Sequence, residues 1–292
     1  MNRRAAAWQA RGQMRDLCGQ RIFTVDIPAR GSAHQAPLLV LHGFPTSSFD
    51  FHAVVDRLAS RRRVLLFDML GYGLSDKPDI AYTMEVHADT AVALVADLGV
   101  DRLGLLTHDV GDTVGGELLA RHLEGRWDVE ITDRTMTNGS IYVELAQLSE
   151  GQRFLLGLPD ERLAEDTPLH RDTVMAGVEA TYSPATRVDP EESAASWEMI
   201  DHHGGTLLLP RHIRYVEERM RHESRLTGAI ERHPSSLAVV WGRDDPIAVP
   251  TMTDRLRLAR SELDLVVLDG VGHYPMVEAP DRFLDAVLGP AG

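Results

Sequence analysis

The chain has 292 residues and a formal net charge of −14, with 43% hydrophobic and 25% charged side chains. That balance suits a folded core of one large domain, alone or with a subsidiary lid, and argues against a nucleic-acid partner, which would ask for a basic patch. No run approaches the roughly 20 apolar residues of a membrane span, and the lone Cys18 leaves no disulfide framework or cysteine-based metal site. Residues 1–20 scatter arginines without an apolar stretch, unlike a secretory signal, so a cytoplasmic location is the default expectation.

In chain order, 4–17 reads as a short amphipathic helix, 22–27 as an alternating strand and 28–35 as a loop. The continuous apolar runs 38–41 and 64–67 read as strands buried on both faces of a parallel sheet. Between them lie the loop 42–48, a helix over 51–58 and Arg61-Arg62-Arg63, which reads as a solvated strand entry. Thr83 is placed to cap a helix that runs to about 98 and is ended by Gly99. A strand over 103–106 and a helix from 111 to about 123 follow, the paired Gly115 and Gly116 suiting close packing of that helix on the sheet. A strand over 131–136 ends at Asn138-Gly139. Strands alternating with helices predict a parallel α/β sheet. From 140 to 233 the pattern is helical, with the best candidates at 144–156, 169–182, 191–201 and 211–225, and is read as an all-helical cap inserted into a core of 1–139 and 234–292. The sheet resumes with strands at 237–241 and 265–268 and helices at 251–260 and 283–288.

The most informative stretch is Thr107-His108-Asp109-Val110-Gly111, at the junction of strand and helix. Small residues two places either side of Asp109 suit a tight turn that thrusts the central side chain outward. The usual version of this turn carries serine. The alternative reading of Asp109 is a helix N-cap, and on this stretch alone the two stand even. Two later strand ends add to it: Asp244 and Asp245 follow the strand at 237–241, and His273 sits in a glycine-flexed loop after 265–268. Open α/β sheets build their sites at such ends. The order aspartate, acid, histidine is that of the α/β-hydrolase fold.

With these residues the chain resembles the α/β-hydrolase superfamily over nearly its whole length. Within it the likeness is to the epoxide hydrolase and haloalkane dehalogenase branch, marked by His-Gly-Phe-Pro at 42–45 and the aspartate elbow. It is most similar to the mesoderm-specific-transcript group, whose pattern matches 42–48, 67–78, 107–112, Asn138-Gly139, Arg243-Asp244-Asp245-Pro246 and Gly272-His273-Tyr274-Pro275. The resemblance implies a mostly parallel sheet flanked by helices, with an inserted helical lid. It also implies Asp109 as nucleophile, His273 as base and Asp245 as its support, chosen over Asp244 by the Gly-x-x-Asp spacing from Gly242. The backbone N–H groups of Phe44 and Val110 would form an oxyanion hole.

A carboxylate at the elbow suits displacement at saturated carbon, followed by hydrolysis of the resulting ester, a sequence that requires no cofactor or metal. The expected substrate is small, apolar and uncharged, most plausibly an epoxide, with a lid tyrosine (Tyr182, Tyr215 or Tyr142) protonating the opening ring. The alternatives are a haloalkane dehalogenase with an atypical halide site and a non-catalytic binding protein, with an ester hydrolase as a lesser option; a homodimer is compatible with all of them. Val110 and Thr113 stand where related enzymes carry halide- or carboxylate-binding side chains, which disfavours halide release and anionic substrates. His108 is assigned to packing or hydrogen bonding behind the site, Asp112 to the helix dipole and Asp68 to loop anchoring. Asn138 is expected to bond the lid's entry strand or to serve as a turn residue, and Trp197, His202 and His203 to be structural.

Overall fold

Alternate residues of the central strands feed two separate cores. Leu39, Leu41, Leu65 and Phe67 pack on one face of the sheet, and Leu38, Val40, Val64 and Leu66 pack on the other. Strands with both faces covered read as unbroken apolar runs, because side chains alternate with a period of two. The computed structural model describes residues 2–30, 35–167 and 169–289, so positions 31–34 of the loop expected at 28–35 lie outside the described residues.

Eight strands form one sheet: β1 (Gln13–Leu17), β2 (Gln20–Ile27), β3 (Leu38–Leu41), β4 (Val64–Phe67), β5 (Arg102–His108), β6 (Glu130–Thr137), β7 (Ser236–Gly242) and β8 (Asp264–Leu268). Their order across the sheet is β1-β2-β4-β3-β5-β6-β7-β8. β2 runs antiparallel to β1 and β4, and every other pairing is parallel. Parallel strands need crossovers, and the helices Met84–Asp97 and Val110–Leu123 supply two of them. Thr83 caps the first, its side chain accepting the Val86 N–H, and Gly99 follows with φ of +62°.

The N-terminal expectation is corrected. Only Arg3–Gln9 is helical, capped by the Asn2 side chain on the Arg4 N–H at 2.7 Å. What was read as its second half is β1. Cys18 and Gly19 both have positive φ, 52° and 74°, as a tight primed turn requires, and that hairpin draws Gln13–Leu17 onto β2. The helix expected at 51–58 is shorter and begins later: a 3₁₀ turn covers Ser48–Phe51 and an α-helical turn covers Val55–Leu58.

Between β6 and β7 the described residues contain helices and no strand. The helix Tyr215–Arg232 packs along Val110–Leu123, where a Cβ on Gly116 would lie 2.9 Å from the Leu226 carbonyl oxygen. Gly115 does face the sheet, through Thr107, but Gly116 is explained by this helix contact. No helix of the described residues is long and apolar enough to cross a membrane. Replacing Gly116 with leucine forces the two helices apart and is expected to destabilise the protein by about 1–3 kcal/mol, read as a lowered midpoint in thermal or urea denaturation.

Candidate active site

Asp109 stands where β5 turns into the helix Val110–Leu123, with φ of +51° and ψ of −113°. Such a backbone is unfavourable for a residue with a Cβ, by roughly 1–3 kcal/mol, and the strand and helix on either side hold it in place. The turn can close only because position 111 is glycine: a Cβ there would lie 2.4 Å from the Leu41 carbonyl oxygen. Asp109 occupies the N-cap position, yet its side chain accepts nothing from the first helical turn. Its Oδ2 accepts the Phe44 N–H at 2.9 Å, and its Oδ1 lies 3.9 Å from His273 Nε2. The carboxylate is therefore directed into the site and is not spent on the helix.

Strand ends deliver the remaining groups. Phe44 follows β3, Asn138 follows β6, Asp245 follows β7 and His273 follows β8. The His273 Nδ1–H donates to Asp245 Oδ2 at 2.8 Å, which leaves Nε2 facing Asp109. Asp245 also accepts the main-chain N–H groups of Ile247 at 2.7 Å and Ala248 at 3.0 Å. Asp244 turns the other way and accepts the Ser183 hydroxyl at 2.6 Å, which separates the two neighbouring acids. No hydrogen bond runs from the Val110 N–H to Asp109; as the first residue of its helix, Val110 has no intrahelical acceptor either.

The electrostatics follow from burial. Asp109 and His273 are only 2% and 3% exposed. Burial alone would lower the His273 pKa, but Asp245 and then Asp109 outweigh it and raise the imidazole from 6.5 to about 9. His108 is pushed the other way, well below its usual value, by burial and then by the neighbouring His273 charge; its Nε2–H donates to the His273 carbonyl at 2.8 Å. Burial raises the Asp112 carboxyl far above the ordinary range. Burial thus works against the charge by which Asp112 would complement the helix dipole. The carboxyl instead shares a hydrogen bond with the Thr107 hydroxyl. Asp68 is the anchor expected of it, accepting the N–H groups of Ser48 at 2.9 Å and Leu74 at 2.7 Å.

The three tyrosines separate. Tyr215 packs its ring on Phe44 with centroids 5.7 Å apart, and Gln152, a residue of the cavity wall, reaches its hydroxyl at 3.4 Å. Tyr142 donates to Glu231 at 2.8 Å. Tyr182 packs on Tyr274 and faces a different cleft, beside His52 and Glu192. Above Asp109 and His273 lies a cavity of about 100 Å³ whose wall includes Phe44, Leu155, Val174, Val178, Leu209 and Ile247.

Asn138 is the turn residue expected after β6 and has a further task beside it. Its Nδ2 donates to Asp245 Oδ2 at 2.6 Å and its Oδ1 accepts the Gly242 N–H at 3.0 Å. It joins β7 to the acid from a left-handed backbone, with φ of +50°. Two further contributors stand beside His273, Tyr274 within the matched Gly272-His273-Tyr274-Pro275 pattern and Glu278 with no signal of its own in the sequence. The Tyr274 hydroxyl donates to the Phe44 carbonyl at 3.2 Å. Glu278 accepts the N–H groups of Gly272 and Tyr274, each at 3.0 Å, and clasps His273 between them.

A model of the alpha/beta hydrolase family matches residues 38–286. The chain belongs to that family. This α/β-hydrolase is 37% identical over 262 residues to a Mycobacterium tuberculosis protein named putative hydrolase LipZ, covering 88% of this chain and 89% of the relative. It is 31% identical over 294 residues to the mesoderm-specific transcript homolog protein of Homo sapiens, covering 97% of this chain and 86% of that one. A solved α/β-hydrolase-fold protein from Burkholderia ambifaria matches it with a TM-score of 0.74 over 94% of this chain and 96% of its own, at 24% identity, a likeness of fold.

The raised pKa of His273 has a signed consequence for this α/β-hydrolase. The charged imidazole stabilises the folded state fully below pH 6.5, and that stabilisation is lost as pH rises towards about 9. The difference in unfolding free energy between wild type and His273→Gln should shrink by roughly 1–3 kcal/mol across that window, as measured by urea denaturation at several pH values.

Proposed function

We propose that this α/β-hydrolase opens small, apolar, uncharged epoxides to diols through a covalent ester on Asp109, without a cofactor. The observation that carries the reading is the division of labour between the two carboxylate oxygens. Oδ2 is held by the Phe44 N–H, and Oδ1 carries no hydrogen bond and faces His273 and the cavity. Oδ1 is the nucleophile and attacks a ring carbon of the epoxide. The C–O bond of the ring breaks, and the leaving oxygen takes a proton. Oδ2 becomes the carbonyl oxygen of the ester, already in contact with the donor that will stabilise it in the second step.

Tyr215 is the acid in this reading: it does not itself line the cavity, but its hydroxyl meets Gln152 of the wall and its ring packs on Phe44, whose N–H binds Asp109. The hydroxyls or rings of Tyr142 and Tyr182 are engaged elsewhere. The helices between β6 and β7 act as the cap, and their apolar residues Leu155, Val174 and Val178 exclude water from the first step.

The second step is enabled by the first. Asp109 is, after Asp245 and ahead of Glu278, one of three carboxylates that hold a proton on His273. Esterification removes that charge, so the imidazolium loses support and releases its proton to the Tyr215 oxygen, which gave one up to the opening ring. The neutral ring, still oriented by Asp245, then takes a proton from water as the water attacks the ester carbonyl. As the tetrahedral intermediate collapses, the C–O bond to the substrate breaks and the leaving oxygen takes the second proton of the water, so the diol departs and the restored carboxylate again favours the imidazolium.

Asp109→Ala should abolish turnover of an epoxide panel, by at least about 10³-fold, and form no adduct. His273→Gln should form the ester and fail to clear it, giving a mass increase equal to one substrate by intact mass spectrometry. Release of halide from short haloalkanes at a rate matching or exceeding epoxide turnover would overturn the substrate assignment. Tyr215→Phe should slow ester formation by roughly 10²-fold, whereas Tyr142→Phe and Tyr182→Phe should stay within about threefold of wild type, as measured by single-turnover kinetics.

A further inference from the structure

Arg219 is 4% exposed on the helix Tyr215–Arg232, and its hydrogen bonds go to one acceptor, the Thr113 hydroxyl, from Nε at 2.9 Å and from Nη2 at 2.7 Å. Among the described residues it forms no ion pair. Arginines buried to a similar degree are compensated otherwise. Arg62, Arg121 and Arg260 each meet a carboxylate, and Arg134 donates to three main-chain carbonyls and the Ser235 hydroxyl. A buried guanidinium without a carboxylate is unfavourable unless its charge is used. What it does face is Tyr215: the guanidinium carbon lies 5.0 Å from the ring centroid. The ring is thus held between Arg219 and Phe44, the residue whose N–H binds Asp109.

We propose that Arg219 is a positioning residue for the acid: it holds the Tyr215 ring and stabilises the phenolate left when the hydroxyl proton passes to the opening epoxide oxygen. This rests on the epoxide reading above. A cation over a phenol ring is attracted modestly by the ring's quadrupole and far more strongly by a full negative charge on the same ring. The interaction therefore grows as the proton leaves, which is what a rate enhancement requires. Burial and then the Asp109 charge both oppose ionisation of Tyr215, and Arg219 is the cation that counters them.

The charges balance through the cycle. At rest, Asp109 and Asp245 are matched by the imidazolium of His273 and by Arg219. Ring opening consumes the Asp109 charge in the new C–O bond and transfers one proton from Tyr215 to the alkoxide, so one negative charge moves from Asp109 to the Tyr215 oxygen. The proton that His273 no longer holds re-forms the phenol and leaves the neutral imidazole that the second step needs. At no stage does the buried site carry net charge from these four groups and Tyr215.

The test uses the full-length protein in the His273→Gln background, where the ester accumulates, and follows its formation by intact mass. Two probes are compared, an alkyl epoxide and its trifluoromethyl counterpart, whose alkoxide is a much weaker base and needs a proton less. Arg219→Gln should slow ester formation from the alkyl epoxide by about 10–100-fold and from the trifluoromethyl epoxide by less than about threefold, with Arg219→Lys intermediate. Adding Arg219→Gln to Tyr215→Phe should have no further effect. Equal losses with both probes, or an additive loss in the double variant, overturn the proposal and make Arg219 merely structural. If the protein with Arg219 intact forms no ester with either probe, the epoxide reading fails and this inference fails with it.

Discussion

The dominant constraint on this molecule is electrostatic: a carboxylate is buried at the end of a central strand and must be kept charged there. Isolated, it would be driven to its neutral form by the loss of water. His273 answers it as an imidazolium, and Asp245 in turn holds the imidazolium. Asp245 accepts donors on both oxygens, from Asn138, His273, Ile247 and Ala248. That saturation places the negative charge far more cheaply than burial alone would allow, and it aims the imidazole ring. The donors come from different strand ends, so the site exists only once the parallel sheet is in register.

The sheet also explains why the helical segment between β6 and β7 is tied so closely to the histidine. The His273 N–H donates to the Thr181 carbonyl at 3.0 Å, and Glu278 accepts the Ser183 N–H at 2.8 Å as well as the N–H groups either side of His273. The loop that carries the base is thus fastened to the segment that roofs the cavity. Motion of that roof would be felt at His273, and its attachment restrains the ring.

Much of this was legible along the chain and some was not, for identifiable reasons. The buried strands, the elbow and the order of aspartate, acid and histidine are local patterns, and each appears where its residues predict. β1 was misread because five residues with apolar positions at Met14 and Leu17 fit either period, and the deciding feature was the primed turn at Cys18-Gly19. The choice between Asp244 and Asp245 needed spacing, and the structure explains it: one faces the helical segment and the other the histidine. The tasks of Asn138 and Arg219 escaped because their partners are distant in sequence. Arg219 meets Thr113 across 106 positions, and Asn138 meets Asp245 across 107. Among three tyrosines in helical surroundings, sequence spacing could not say which face each would present.

The neighbours of Asp109 show how its charge comes to matter to one partner in particular. His108, directly before it, and His42, across the loop, are both pushed towards the neutral imidazole by burial. Asp112 and Asp50 are pushed towards the neutral carboxylic acid for the same reason. Burial thus opposes a charge on each of these four groups around the elbow. An ionised carboxylate among them would add to the hold of Asp245, Asp109 and Glu278 on the His273 proton. Had either histidine been charged, it would have weakened the hold of Asp109 on the proton at rest. Burial of these four groups therefore leaves Asp109, 3.9 Å from the ring, as one of the few charges, with Asp245 and Glu278, that set the protonation of His273.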